Sequence, residues 1–413
     1  SKKKGKEAWV RAAVENGKIR YEVVHSADGP IGDDDGTVGR KGAISLVDGT
    51  PIDFAYMRSE ACSGQMGAHL IAVVAESDKG RVYISPDAQQ ENIALVNSPD
   101  NLPDSALPQK ALGFRVQAYG YTRWSDLFTN RQLVALTTLS DLVGEAREKV
   151  FADALAAGMP EGERLEKGDT GAASYADAVA TYLALAVSRT TDYSNANATW
   201  DSTRDSATHM FTRQAIPMIW SFVEVNPFSD SSGNFLGQLR WIVKVLNKLL
   251  VSPPGYADQV SASARNYESL VVSTDPPYYD NIGYSDLSDY FYVWLRRCLK
   301  NIHPSVVGTM LTPKTDELVA NPYRHDGKEG AQKFFVEGFN SVFQRIRSGA
   351  NPDVPMTVYY AYKQQDSGKE GTSSTGWHTL LDGLIEAGWS ITATWPMRSE
   401  LTNRMLSQGT NAL

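Results

Sequence analysis

The chain has 413 residues, enough for two or three domains, and it is 42% hydrophobic and 21% charged, which excludes disordered and collagen-like classes. Its net charge of −8 excludes an overall basic field, so any nucleic-acid contact would rest on a local basic surface. Two cysteines, Cys62 and Cys298, cannot build a disulfide framework or a four-thiolate metal site. There is no long apolar run, and Ser1-Lys2-Lys3-Lys4 is not followed by an apolar core, which predicts a soluble, cytoplasmic protein without a membrane span.

Residues 1–105 read as β-rich. Lys18–Val24, Ala43–Val47, Ile52–Met57, Leu70–Ala75 and Arg81–Ile84 are strand candidates between Gly, Asp and Pro turns. Gly32-Asp33-Asp34-Asp35-Gly36 lacks the spaced ligands of a calcium loop and reads as a solvated turn. After a linker over 103–113, residues 125–156 read as a helix. Thr129 is its N-cap, and Leu133, Leu136, Leu139, Leu142 and Val143 form its apolar stripe. A second helix is expected over 174–190, with Ala178, Tyr182, Leu185 and Ala186 as its core stripe. Further helical segments are expected over Arg204–Val223 and over Gly237–Leu250, the latter with Leu239, Ile242, Val243 and Leu246 on its apolar face. Between them, Glu224–Phe235 is a donor-rich loop with aromatic residues at either end. It reads either as a structural turn or as a loop lining a cofactor or base pocket.

In the last third, Leu270-Val271-Val272 forms an apolar, β-branched run stopped by Asp275-Pro276-Pro277-Tyr278. Such a run reads as a strand of a parallel sheet buried on both faces, and ligands of open α/β sheets collect at the carboxyl ends of those strands. The residue types suit an exocyclic amino group on a nucleobase, whose lone pair is delocalised into the ring. Asp275 can accept one amino hydrogen and the Pro276 carbonyl the other. The prolines hold both acceptors still, and Tyr278 offers a face for a flipped-out base. A helix over Tyr284–Ile302 follows. Its Arg296, Arg297 and Lys300 suit either the helix dipole or a DNA phosphate. A helix over 329–348 buries Phe334, Phe335, Phe339, Val342, Phe343 and Ile346. Then come a strand over Met356–Tyr362, a helix over Thr379–Ala387 ended by Gly388, and a last strand over Trp389–Trp395. From 269 to 395 the alternation is that of a doubly wound α/β sheet. No Gly-rich strand-to-helix turn accompanies it. The nearest candidates, Gly64-Gln65-Met66-Gly67 and 233–237, do not follow a convincing strand.

Asp275-Pro276-Pro277-Tyr278 has the D-P-P-Y form of motif IV of the amino-methyltransferases. More closely, the chain resembles the adenine-specific DNA methylases described as containing a zinc ribbon, often encoded beside phage-defence genes. Residues 272–297, 224–235, 119–139, 321–329 and 391–405 carry the likeness. It implies an α/β fold: a partial Rossmann-like methyltransferase sheet (256–413), a β-rich N-terminal unit (1–105) and a helical middle region suited to target recognition (106–255). It implies methyl transfer from S-adenosylmethionine to N6 of adenine in DNA, in a restriction-modification or phage-defence setting, with DNA and other defence proteins as partners. Carried over residue by residue, Asp275, Pro276, Pro277 and Tyr278 grip the adenine. Tyr279, Asp280 and Asn281 shape the pocket mouth, and Asn226 and Phe228 contribute from the donor-rich loop. Two departures stand out. The family's cofactor turn is not seen, so the chain resembles part of a longer protein with an incomplete S-adenosylmethionine site. Ser45-Leu46-Val47-Asp48-Gly49 lies where the family has a C-x-x-C-G knuckle, which predicts a metal-free β unit without zinc. The other class to weigh is a catalytically silent DNA-binding or assembly module.

Overall fold

A computed structural model describes residues 1–30, 36–78, 80–249, 255–279, 282–360 and 375–395. Asp280, Asn281, residues 31–35, residues 361–362 of the expected strand and everything from 396 onward lie outside the described residues. The protein is mixed α/β, with nine α-helices and five separate two-stranded sheets among the described residues. It divides into two compact units.

The first unit takes in Ser1–Gln109, Phe114–Pro254 and Asp289–Leu311. It opens on an antiparallel hairpin of β1 (Trp9–Glu15) and β2 (Lys18–Val24). The turn between them is Asn16-Gly17, with φ of 53° and 72°, the left-handed pair that a two-residue hairpin turn requires. A short pair follows, β3 (Ala43–Ile44) with β4 (Pro51–Ile52). The segment joining them is closed by its own hydrogen bonds: Gly49 N–H to Ser45 O (2.9 Å) and Thr50 N–H to Asp48 Oδ1 (3.1 Å). Among the described residues no three His, Cys, Asp or Glu side chains are grouped as a metal ion would need.

The expected strand over Ile52–Met57 is instead the edge of β4 followed by a helix, α1 (Phe54–Cys62). Asp53 decides it: its carboxylate accepts the Tyr56 N–H at 2.7 Å and caps the helix. A third hairpin, β5 (Val73–Ser77) with β6 (Gly80–Ile84), begins three residues later than expected. It leads to α2 (Ala88–Ile93), capped by an Asp87–Gln90 box.

The helical part is built on α3 (Asn130–Ala156) and α4 (Ala172–Thr191), which pack together. Thr129 and Gln132 form a reciprocal capping box at the start of α3. Leu133, Leu136, Leu139 and Val143 are buried as expected, but Leu142 is exposed. In α4 only part of the expected stripe is core: Ala186 is buried, but Tyr182 and Leu185 are exposed and Ala178 is only half-buried. The buried column is Ala172, Ala176, Ala180 and Ala184, one residue per helical turn. Ala180 and Ala184 join Val187 in the core cluster with Leu139 and Val143 of α3.

Arg204–Val223 is not a helix. It holds half of a hairpin of β7 (Trp200–Asp201) with β8 (Ser206–Ala207), then one 3₁₀ turn at Met210–Thr212. The Asp201 carboxylate accepts the N–H groups of Thr203 and Arg204, and Asp205 adopts φ 52°, so local side-chain bonds win over helix formation. The unit continues with α5 (Phe235–Leu246), the part of α6 (Tyr284–Leu299) from Asp289 onward, and α7 (Pro304–Val307). Leu139, Val143, Ala180, Ala184, Val187, Tyr292, Leu299 and Ile302 form one core cluster.

The second unit takes in Lys110–Gly113, Gly255–Ser288 and Thr312–Leu413. Its sheet is a parallel pair, β9 (Ser273–Thr274) with β10 (Thr357–Val358). Two helices supply the core, α8 (Gly327–Gly349) and α9 (Thr375–Glu386). Phe335, Phe339, Val342, Phe343 and Ile346 of α8 are buried at helical spacing against Leu380 and Leu384 of α9. Helix α9 ends in a Schellman motif: Gly388 at φ 83°, Gly388 N–H to Ile385 O (2.9 Å) and Trp389 N–H to Leu384 O (2.9 Å). The expected last strand is absent among the described residues. Trp389 instead turns its indole N–H to Phe343 O at 3.0 Å, and Trp395 is exposed.

The run before D-P-P-Y also departs from expectation. Leu270 is 41% and Val271 64% exposed, and only Val272 packs on the core. Among the described residues the run has one paired strand, and with Leu270 and Val271 in solvent it is not buried on both sides. Among the described residues no helix is long and apolar enough to cross a membrane.

Candidate functional site

Asp275 follows directly on β9. The ladder delivers it there: Thr357 N–H bonds Val272 O at 3.1 Å, and Tyr359 N–H bonds Thr274 O at 2.8 Å. With its parallel partner ending at Val358, the strand hands the chain to two prolines, neither of which can donate to a ladder. Asp275 is exposed, while Pro276, Pro277 and Tyr278 are half-buried. The segment thus presents a carboxylate to solvent from an anchored base.

Tyr278 and Tyr279 diverge. The Tyr279 ring meets Phe335 of α8 edge-on, centroids 5.0 Å apart, and the Tyr279 carbonyl accepts the Ala320 N–H at 2.6 Å. That fixes the backbone just after the motif. Tyr278 meets two further tyrosines edge-to-face, Tyr284 at 6.2 Å and Tyr360 at 5.7 Å, and Tyr360 stacks on Trp377 at 6.3 Å. Gly376 closes this corner. A Cβ there would stand 2.9 Å from the Tyr279 Cβ and 3.0 Å from the Tyr360 hydroxyl, so only glycine fits without displacement.

The Tyr284 phenol is pushed up to about 12. Burial is the main cause, a hydrogen bond with the Tyr278 backbone opposes it, and Tyr278, the Asp275 carboxylate and Tyr360 add to it. Tyr284 therefore keeps its proton across the physiological range.

Behind Tyr284, the first turn of α6 is tied to the segment 312–324 by a buried ionic cluster. Glu317 accepts the Ser285 N–H at 2.7 Å and the Ser285 hydroxyl at 2.5 Å, which caps the helix with a carboxylate where its dipole favours one. Arg324 spans two acids, reaching Glu317 Oε2 at 2.7 Å and Asp286 Oδ2 at 2.6 Å, and donates to Ser285 Oγ at 3.2 Å. Burial outweighs the Arg324 charge at Asp286 and holds its carboxyl above the usual range.

The structure brings Asp275, Pro276, Pro277, Tyr278 and Tyr279 together in one anchored segment of the second unit. Asp280 and Asn281 lie outside the described residues. Asn226 and Phe228 belong to the first unit. There Asn226 folds the loop on itself, its Oδ1 accepting the Phe228 N–H at 3.0 Å, and Phe228 is exposed. Tyr284, Tyr360, Glu317 and Arg324 carry the site's support and were not singled out as site residues by sequence. For the tyrosines a signal existed, since both stand within a few residues of the expected edge of the sheet. For the Arg324 pairs none did, because its partners lie 7 and 38 positions away in unrelated patterns.

The glycines nearest a cofactor turn serve other ends. Gly64 (φ 75°) follows the end of α1, not a strand. Gly233 (φ 88°) is held against the Tyr193 side chain, where a Cβ would stand 2.8 Å from the Tyr193 Cβ and 2.9 Å from its ring. Among the described residues no Gly-rich turn joins a strand to a helix. Compared with family models, curated proteins and solved structures, the chain matches none.

Proposed function

We propose that this protein takes part in methyl transfer from S-adenosylmethionine to the N6 amino group of adenine in DNA, in a restriction-modification or phage-defence setting, with the second unit as part of a Rossmann-like sheet. The observation that carries the reading is the solvent-facing Asp275 at the end of a parallel strand, set between rigid prolines and a tyrosine cluster. A parallel pair needs a long crossover connection, and the chain from β9 to β10 supplies one through α8.

In this reading the described residues serve the base. Asp275 accepts one amino hydrogen of the adenine and the Pro276 carbonyl accepts the other, drawing the nitrogen lone pair out of conjugation. Tyr278 stacks on the ring, and Tyr284 stays neutral beside the carboxylate so that no second negative charge forms there. The proton released by the alkylated nitrogen leaves to Asp275 or to solvent. The test is transfer of a labelled methyl group to adenine-containing duplex DNA. Transfer that disappears in Asp275→Ala supports the reading, and transfer that persists refutes it.

A second reading, a catalytically silent DNA-binding or assembly module, is favoured by the missing Gly-rich turn among the described residues. Asp275→Ala separates the two: it abolishes methyl transfer under the first reading and leaves DNA binding or assembly untouched under the second.

A further inference from the structure

Helix α5 turns one face to the protein and leaves the other bare. Phe235, Gln238, Leu239 and Ile242 point to the packed side, where α5 meets α4. The helical path runs past Leu246, since Lys248 N–H and Leu249 N–H both bond Val245 O, at 2.8 and 3.0 Å. On the outward side stand two adjacent columns at a spacing of four. Arg240, Lys244 and Lys248 make one, and Trp241, Val245 and Leu249 make the other. All six are exposed; Trp241 is 64% exposed, with the Lys244 ammonium 4.5 Å from its ring centroid. No acidic residue occurs between Asp230 and Asp258, in a chain whose net charge is −8. The nearest acid, Asp230, stands 4.0 Å from Arg240 with both side chains largely in solvent, a pair too exposed to neutralise the column.

We infer that this outward face of α5 is a docking surface for the phosphodiester backbone of duplex DNA, with Arg240, Lys244 and Lys248 on phosphates and Trp241 alongside them. The inference rests on the DNA reading proposed above and names the surface that would meet that partner. Charge complementarity selects the occupant: three cations in register on an otherwise acidic protein suit a regularly spaced polyanion. Exposed Trp241 bears on the same face by holding the Lys244 ammonium over its ring. A membrane surface competes for the same face, because Leu236, Val243 and Leu246 of α5 are exposed beside Trp241, Val245 and Leu249. The single-column register of the three cations favours a regularly spaced phosphodiester backbone, and vesicles of anionic lipid are the counter-test.

The experiment is fluorescence anisotropy of a labelled mixed-sequence duplex against the full chain over a range of salt, for wild type, the triple variant Arg240→Gln/Lys244→Gln/Lys248→Gln, and Trp241→Ala. Removing one cation from its phosphate lowers the salt slope by about 0.9, which at about 0.1 M salt is roughly eightfold in affinity, so about 500-fold for three. Trp241→Ala, which carries no charge away, should weaken binding with the slope unchanged. The substituted side chains are exposed, and unchanged circular dichroism and melting temperature verify the fold. A triple variant that binds like wild type with the same salt slope overturns the inference. So does a wild type that ignores the duplex, or one that uses this face only for vesicles of anionic lipid. These outcomes are separable from failure of the methyl-transfer reading. A duplex held through α5 with no adenine ever methylated refutes that reading alone, and methylation that persists in a fully binding triple variant refutes the docking surface alone.

Discussion

Arg324 is the residue whose removal should hurt the site most without touching it. Its guanidinium reaches Asp286 and Glu317 at 2.6 and 2.7 Å, and Asp286 is only 2% exposed. Arg324→Ala leaves two acids in a low-dielectric pocket without their cation, which costs about 3 to 5 kcal/mol. The converse substitution is expected to behave differently. The Asp286 carboxyl sits above its usual range because burial outweighs the attraction of Arg324, so its charge is already disfavoured in the wild type. Asp286→Asn keeps the shape, leaves Arg324 paired with Glu317, and should change stability by no more than about 1 kcal/mol in either direction. The pH dependence follows the same sign. A carboxyl with a raised folded value contributes fully below its unfolded value of 3.8, and that contribution is lost as pH rises through the folded value. The Arg324→Ala deficit should therefore narrow as pH falls from neutral and Asp286 takes up a proton. Urea denaturation of both variants at neutral and mildly acid pH measures it. An Arg324→Ala protein within about 1 kcal/mol of wild type, or a deficit of equal size in Asp286→Asn, would refute the account.

Three further outcomes are expected. Gly376→Ala forces a methyl group to within 2.9 Å of the Tyr279 Cβ, which cannot rotate away, so a loss of roughly 1 to 3 kcal/mol and a lowered melting temperature should result; an unchanged melting temperature contradicts the packing. Phe335→Ala removes a ring with 0% exposure that carries both Tyr279 and Phe339, at about 3 to 5 kcal/mol by chemical denaturation. Tyr284→Phe should delete from the alkaline absorbance titration a phenol that ionises near 12 rather than 10, whose contribution to stability is lost between those values; a deletion at 10 means the hydroxyl is not crowded.

What was legible in the chain was whatever rests on local pattern. The cap at Thr129, the stripe of α8 from Phe335 to Ile346 and the glycine stop of α9 are written in adjacent residues and are found, although Phe334 lies off the core, half-buried and stacked on His325. Tertiary choice explains the misses. Ile52–Met57 alternates like a strand until Asp53 captures the Tyr56 N–H. In α4 both the alanine column and the Tyr182–Leu185 side have helical period, and only the approach of α3 decides which is buried. The pattern of α5 likewise foretold a helix, but not that Val243 and Leu246 would stand exposed. For the candidate site, the motif itself was visible because prolines and an acid interrupt an apolar run. Its scaffold was not, since Glu317 and Arg324 act through partners brought near only by folding.

The division between motif and scaffold makes one substitution more informative than the rest. Tyr278 and Tyr279 are packed against other rings, so truncating either removes buried contacts along with any role in chemistry. A loss of activity there would not say which had failed. Asp275 is exposed, and its ladder neighbours bond through Thr274 and Val272 instead of through Asp275 itself. Asp275→Ala should shift stability by no more than about 0.5 kcal/mol, as surface substitutions away from caps and cores do. If urea denaturation finds it that close to wild type, an abolished methyl transfer reports the carboxylate's part in the reaction. A cost above about 1 kcal/mol would mean that Asp275 helps hold the strand end, and the motif would then have a structural reason to exist.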